Sequence, residues 1–306
     1  MKNNKEKIEE KIEKNIDKNY TLKEKQKGIM YIIFAAFFFA LMNLFIKLSG
    51  DLPTIEKAFF RNVVAIIFAG GLIIKNRPKF SSIKGNFLTL NGRAIFGTIG
   101  IFCNFYAIDR LHIADASMLN KLSPFFAIIF SIFVLKEVAT RTQIFCVIMA
   151  LVGAGIILRP GLHNIFNFPA LIGIIGGMSA GLAYTLLRKC SKGGVSSFII
   201  VFYFSVFSCI CCIPYMIVNF VAMTPIQFIF LILTGLAATG GQFSITAAYS
   251  HAKAGDISVY DYTQILFAGL MGFFVLNEIP DIFSYIGSVF IVVAGVVNFL
   301  SNKKKA

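Results

Sequence analysis

The apolar positions of this chain fall in long unbroken runs rather than in alternation. A bilayer core is about 30 Å thick and takes about 20 apolar helical residues to cross. Ten segments meet that pattern, at 28–48, 55–74, 93–109, 115–135, 141–158, 168–187, 196–219, 226–249, 256–276 and 282–301. Lipid offers the backbone no hydrogen-bond partner, so these segments are expected to be helices. Strands of a membrane barrel would alternate polar and apolar residues, and these runs do not. The connectors are short and carry chain breakers, as in Gly50-Asp51-Leu52-Pro53, Arg159-Pro160-Gly161 and Ile279-Pro280-Asp281. Residues 1–27 differ from the rest, with nine lysines and six acids. They are expected to form a charged tail, either solvated or in a short surface helix marked by Ile8, Ile12 and Ile16. Residues 302–306 form a second, basic tail.

Composition agrees with a polytopic membrane protein. Of 306 residues 57% are hydrophobic and only 14% charged, against roughly 25% charged in an ordinary soluble domain. The formal net charge of +14 would suggest nucleic acid in a soluble protein. Here the cations sort by connector. With the N-terminus cytoplasmic, 23 of the 29 Lys and Arg lie on the inner side and four on the outer side. The inner group includes the five cations between 75 and 93, together with Arg188. Both termini are therefore expected in the cytoplasm, and no nucleic-acid partner is expected. Residues 1–27 do not read as a cleavable signal. The six cysteines show neither disulfide nor zinc spacing, and the three histidines show no metal spacing. No metal or cofactor is expected.

The chain also matches itself at an offset of 141 residues. Phe133-Val134-Leu135-Lys136-Glu137 matches Phe274-Val275-Leu276-Asn277-Glu278, and Asp115-Ala116-Ser117 matches Asp256-Ile257-Ser258. Ala36 and Ala40 match Gly177 and Gly181. The halves are 28–160 and 161–301, with five helices each. An odd number inverts the second half in the membrane. The expected fold is thus all-α, with ten transmembrane helices as a 5+5 inverted repeat. Such repeats build a site at their interface near mid-bilayer and alternate access to it.

Further residues carry a family resemblance. They are Ala58-Phe59-Phe60-Arg61 in the second segment, Leu122-Ser123-Pro124-Phe125-Phe126-Ala127 in the fourth, and the Leu135-Lys136-Glu137 and Leu276-Asn277-Glu278 ends. Over residues 28–301 the chain resembles the drug/metabolite transporter superfamily, specifically its EamA-type ten-helix members. The resemblance implies a central cavity lined by both halves, with segments four and nine prominent, and transport of amino acids, other metabolites or drugs. Ile265 stands where the second half would match Pro124, so a break in segment four is not expected to recur in segment nine.

Charge within the membrane costs about 2.5–3.5 kcal/mol at mid-helix. Arg61, Lys121 and Asp261 are the candidates. Ser117, Asn120, Lys121 and Pro124 share one face of segment four, and Ser258, Asp261 and Tyr262 repeat that stripe in segment nine. Both faces are expected to line the cavity. Continuous helices would put Lys121 about 6 Å outward of the midplane and Asp261 about 7.5 Å inward. A direct Lys121–Asp261 ion pair is therefore not expected. Arg61 and Lys121 in the outer half are candidates to receive a carboxylate, with Asn43, Asn104 and Tyr106 adding hydrogen bonds. The plainer alternative is that both cations snorkel or cap carbonyls. Asp261 is a candidate proton or amine acceptor, with Tyr184, Tyr249, Gln242 and Gln264 at similar depth; a structural hydrogen bond is its alternative role. Gly173, Gly177 and Gly181 signal close helix packing. Glu137 and Glu278 read as structural anchors.

The expected function is secondary active transport of a small polar metabolite, an amino acid or derivative, across a bacterial cytoplasmic membrane. No Walker motif occurs, so a coupled proton or an exchanged metabolite is the expected energy source. Uptake or exchange of S-adenosylmethionine or a nucleoside-like metabolite is the alternative. A membrane-embedded lipid-modifying enzyme would need paired acids, a His–acid set or a phosphate loop at one interface, and none is found.

Overall fold

The structure is a computed structural model that describes residues 2–110, 119–158, 168–276 and 282–305, with side-chain environments from Leu22 onward. All regular elements among the described residues are helices, joined by short turns and without strands. The long helices are α1 (Lys2–Leu48), α2 (Thr54–Asn76), α3 (Ser81–Arg110), α4 (Ser123–Leu135), α5 (Arg141–Leu158), α6 (Phe168–Lys192), α7 (Ser197–Asn219), α8 (Pro225–His251), α9 (Thr263–Leu276) and α10 (Ile282–Lys305). Local chemistry sets several ends. Thr224 and Gln227 form a capping box at the start of α8, with Pro225 as its first residue. Lys136 closes α4 in the left-handed region at φ 54°, and the Glu137 N–H returns to the Ser131 carbonyl.

Among the described residues five helices, including α1 from Leu22 onward, are long and apolar enough to cross a bilayer. The surface is correspondingly greasy, with Leu88, Phe133, Ile74 and Phe274 each about three-quarters exposed or more. An exposed apolar belt of that extent marks a surface that meets lipid rather than water.

Two expected spans are not continuous helices. The helix α4 has 13 residues and α9 has 14, each about 20 Å long and short of a full crossing. In front of α4 the chain turns at Lys121 and Leu122. Residues 111–118, including Ser117 and Asp115, lie outside the described set. In front of α9 the chain makes one α-turn (Ala254–Ile257) and then a 3₁₀ stretch (Ser258–Tyr262). The break expected only beside Pro124 therefore occurs in both halves, and in the second without a proline.

The halves interleave. Helix α1 packs along α8 and α3 along α6; α4 lies on α6 and α9 on α1; α2 touches α8 and α7 touches α3; α2 pairs with α7 and α5 with α10. Exchanging each helix with the one five places on returns these same pairs, whereas the contact of α6 with α8 has no counterpart of like extent between α1 and α3. Glycines permit the closest approaches. A Cβ on Gly177 would lie 2.6 Å from the Leu119 carbonyl oxygen, and one on Gly181 would lie 2.8 Å from the Ala127 nitrogen and the Ser123 carbonyl oxygen. The small-residue series of α6 thus seats α4 and the turn before it, as its spacing suggested.

Residues 22–27 do not hang free. Lys25 Nζ lies 3.6 Å from Asp256, and Glu24 contacts His251 at the end of α8. Residues 22–27 are helix continuous with α1, docked here against α8 and the lead-in to α9.

Candidate functional site

The two breaks meet. Lys121 Nζ donates to Asp261 Oδ2 at 3.2 Å, to the Asp261 carbonyl at 3.3 Å and to Gln264 Oε1 at 2.7 Å. All three ammonium protons are accounted for. In return the Tyr262 hydroxyl donates to the Lys121 carbonyl at 2.8 Å. Each break frees backbone groups that lipid cannot satisfy, and each is capped by a side chain from the other. Residues 121 and 262 are counterparts under the 141-residue offset, so the capping is close to reciprocal. Lys121 and Asp261 are buried and Tyr262 is inaccessible.

This corrects the expectation that Lys121 and Asp261 stand too far apart to pair. That distance assumed unbroken helices centred on their apolar runs. Shortened helices bring both breaks to one level, where a buried ion pair with full hydrogen bonding becomes available.

The other predicted residues divide. Tyr184 of α6 stacks on Tyr249 of α8, with ring centroids 5.2 Å apart and planes at 17°. The Tyr184 hydroxyl interacts electrostatically with Asp261, Arg93 and Arg61. Gln242 is buried with its Nε2 unpaired. Asn120 and Arg61 are half-buried and have no hydrogen-bond or ion-pair partner among the described residues. Tyr106 stands apart, its ring 4.0 Å beneath the Arg110 guanidinium. Asn43 is exposed on α1 and joins no part of the network.

The two ends of the bundle differ. At one end Glu137 accepts from Arg188 Nε at 2.6 Å and from Lys192 Nζ at 2.8 Å. Arg188 also donates to the Tyr249 carbonyl at 2.9 Å and to the Ala252 carbonyl. Beside it Gln143 Nε2 donates to Asp256 Oδ1 at 2.8 Å. Glu137 is the structural anchor expected of it; Glu278 lies outside the described residues. At the other end a cavity of about 600 Å³ opens between the starts of α2 and the ends of α3 and α7. Leu52, Pro53, Thr54, Ile55, Phe102, Tyr106, Arg110 and Tyr215 line it.

Sequence reasoning misplaced two cations. Arg93 and Arg188, counted among the connector charges, are 2% and 6% exposed. Arg188 belongs to the ionic cluster just described. Arg93 sits in the middle of α3, because that helix begins at Ser81 rather than near 93. The apolar Leu88 and Leu90 before it were the available signal. Among the described residues no group of His, Cys, Asp and Glu is arranged to hold a metal.

Known proteins place the chain. The model of the EamA-like transporter family matches twice, at residues 26–159 and 167–300. The pseudopaline exporter CntI of Pseudomonas aeruginosa is 31% identical over 92% of this chain and 98% of its own length. Mouse solute carrier family 35 member G1 is 27% identical over 87% of this chain and 76% of its own. The S-adenosylmethionine uptake transporter of Rickettsia prowazekii is 22% identical over 92% and 96%. A solved crystal structure superposes with a TM-score of 0.79 at 14% identity, covering 91% of this chain and 98% of that one, which speaks to the fold. A doubled family match over two interleaved halves, with a mutually capped pair of helix breaks between them, leads to one assignment: the chain belongs to the EamA-like transporter family of the drug/metabolite transporter superfamily.

Proposed function

We propose that this protein is a secondary active transporter that moves a small polar metabolite, an amino acid or derivative, across the cytoplasmic membrane of a bacterium by alternating access. The reading rests above all on the Lys121–Asp261–Gln264–Tyr262 assembly. A charge pair buried at the crossing of two discontinuous helices is costly to maintain, and such breaks in transporters lie beside the substrate. The two five-helix halves, 28–160 and 161–301, are inverted with respect to each other, and both termini face the cytoplasm. The cluster of Glu137, Arg188 and Lys192 then closes the cytoplasmic end while the cavity beside Arg110 faces outward.

In this mechanism substrate enters between α2, α3 and α7 and reaches the tyrosine pair and the break assembly. Movement of one half against the other must then open the Glu137 cluster. Asp261 is the candidate carrier of a coupled proton, because release from Lys121 would leave its carboxylate free to accept one. An exchanged metabolite is the other energy source.

The test is counterflow in proteoliposomes loaded with an amino-acid panel, without ATP. Saturable exchange of one member supports the proposal. Turnover of lipid without flux would move the protein to another class. If Asp261→Asn transports with the pH profile of the wild type, a proton-carrying role for that residue is excluded. S-adenosylmethionine belongs in the panel, since a relative over nearly the whole chain is named for its uptake.

A further inference from the structure

Once Lys121 is assigned to Asp261, the buried Arg93 and the half-buried Arg61 remain without a counter-charge among the described residues. Arg93 of α3 is 2% exposed, and its Nε is enclosed with no hydrogen-bond partner. Neither of its Nη atoms bonds to any described residue. Its guanidinium lies over the Phe204 ring of α7, with Cζ 4.2 Å from the centroid. The ring face offsets part of the lost hydration but satisfies none of the five N–H donors. Arg61 of α2 is likewise unpaired, and the two guanidiniums lie within electrostatic reach of each other. Two like charges that act on each other in a low-dielectric interior repel; Arg93 is fully desolvated and the half-buried Arg61 partly so.

The backbone makes room for this arrangement. A Cβ on Gly97, one turn beyond Arg93, would fall on the Arg93 Nη1 atom and 2.8 Å from Phe204. Glycine there lets the guanidinium fold along α3 over the ring. Glu56, the acid of α2, is inaccessible; its Oε1 accepts from the Val221 N–H at 3.1 Å, its Oε2 has no partner, and it is not among the charges that act on Arg61 or Arg93. Asp261 is engaged by Lys121. The cavity at the Arg110 end opens on the same three helices. Arg61 lies seven residues past Thr54, about 10 Å deeper along α2, and Arg93 nine residues before Phe102, about 14 Å deeper along α3.

We propose that Arg61 and Arg93 are a substrate subsite for two carboxylate groups, so that the transported metabolite is a dianion or an acidic amino-acid derivative. A ligand with two negative charges neutralises the pair, and a planar carboxylate matches a guanidinium fork bidentately. Lys121, the cation first expected to meet the carboxylate, holds the breaks together instead. This inference deepens the transporter reading and rests on it for the word substrate, but the binding it predicts is measurable without transport.

The experiment uses the full chain in detergent and in proteoliposomes. Succinate, glutamate, inorganic phosphate and alanine are each titrated while the melting temperature is followed. Succinate and glutamate should stabilise the wild type and alanine should not. Arg93→Gln and Arg61→Gln should each weaken that effect at least tenfold in concentration, and Arg93→Lys should fall between. Stronger stabilisation by phosphate than by succinate would overturn the carboxylate assignment. No stabilisation by either dicarboxylate, or the same stabilisation in a folded Arg93→Gln, would overturn the subsite. If neutral metabolites exchange equally well in wild type and Arg93→Gln, the subsite falls and the transporter reading stands. If dicarboxylates bind through Arg93 but nothing crosses the membrane, the transporter reading falls and the subsite stands.

Discussion

The breaks before α4 and before α9 occupy matching positions in the two halves but differ in chemistry. The first precedes a proline, Pro124, which has no N–H to return to a carbonyl four residues back. The second precedes Ile265, which has one, and the chain still leaves the α-helical path over Ser258–Tyr262. A proline is therefore not what the breaks share. They share mutual capping: Lys121 donates to the Asp261 carbonyl and Tyr262 to the Lys121 carbonyl. The comparison teaches that the unwound segments are held by the other half of the molecule.

The strongest attempt to break this comparison removes the shared lysine. Lys121→Ala leaves the Asp261 carboxylate buried and alone, and breaking such a pair costs about 3–5 kcal/mol. Thermal melting in detergent should drop sharply and counterflow should be lost. Next comes the seat of the first break. Gly181→Ala brings a methyl against the backbone of α4, and overpacking of that kind costs about 1–3 kcal/mol. Gly269→Ala in α9 is the control, because nothing lies within 4 Å of its Cβ position; melting should be unchanged or slightly raised.

Tyr262→Phe removes only the hydroxyl and leaves the Lys121 carbonyl without its partner, for a loss of about 1–3 kcal/mol at the low end. Pro124→Ala should have the smallest effect, under about 1 kcal/mol, because proline at the start of α4 is accommodated rather than required. If Pro124→Ala melts lower than Tyr262→Phe, the proline does impose the first break and the comparison fails.

Much of the fold was legible because membrane burial is written along the chain. Ten apolar runs correspond to ten helices among the described residues, α4 and α9 shortened, and the 141-residue offset agrees with the doubled family match and with the main helix pairs that recur between the halves. The glycines at 173, 177 and 181 announced a close contact, since only small residues allow one. The site was legible as a set of residue types and not as a geometry. Lys121, Asp261, Tyr262 and Gln264 were singled out as polar residues within apolar runs, and they do converge. Their pairing is not legible in the sequence, because depth follows residue number only at a constant rise, and an unwound segment departs from it. Arg93 was missed for a related reason: a hydropathy boundary near 93 is not a helix boundary.

The sequence by itself determined that the chain is helical, membrane-embedded, doubled and sparing with interior charge. Those properties follow from hydrophobicity and from self-similarity, both of which are linear in the chain. Only the tertiary structure decided which interior charges are neutralised. Lys121 finds Asp261 from the other half, while Arg61 and Arg93 find no acid among the described residues. Charge compensation in a low dielectric depends on distances of a few ångströms between residues more than a hundred positions apart, and those distances are set by where each helix breaks and which glycines let it approach.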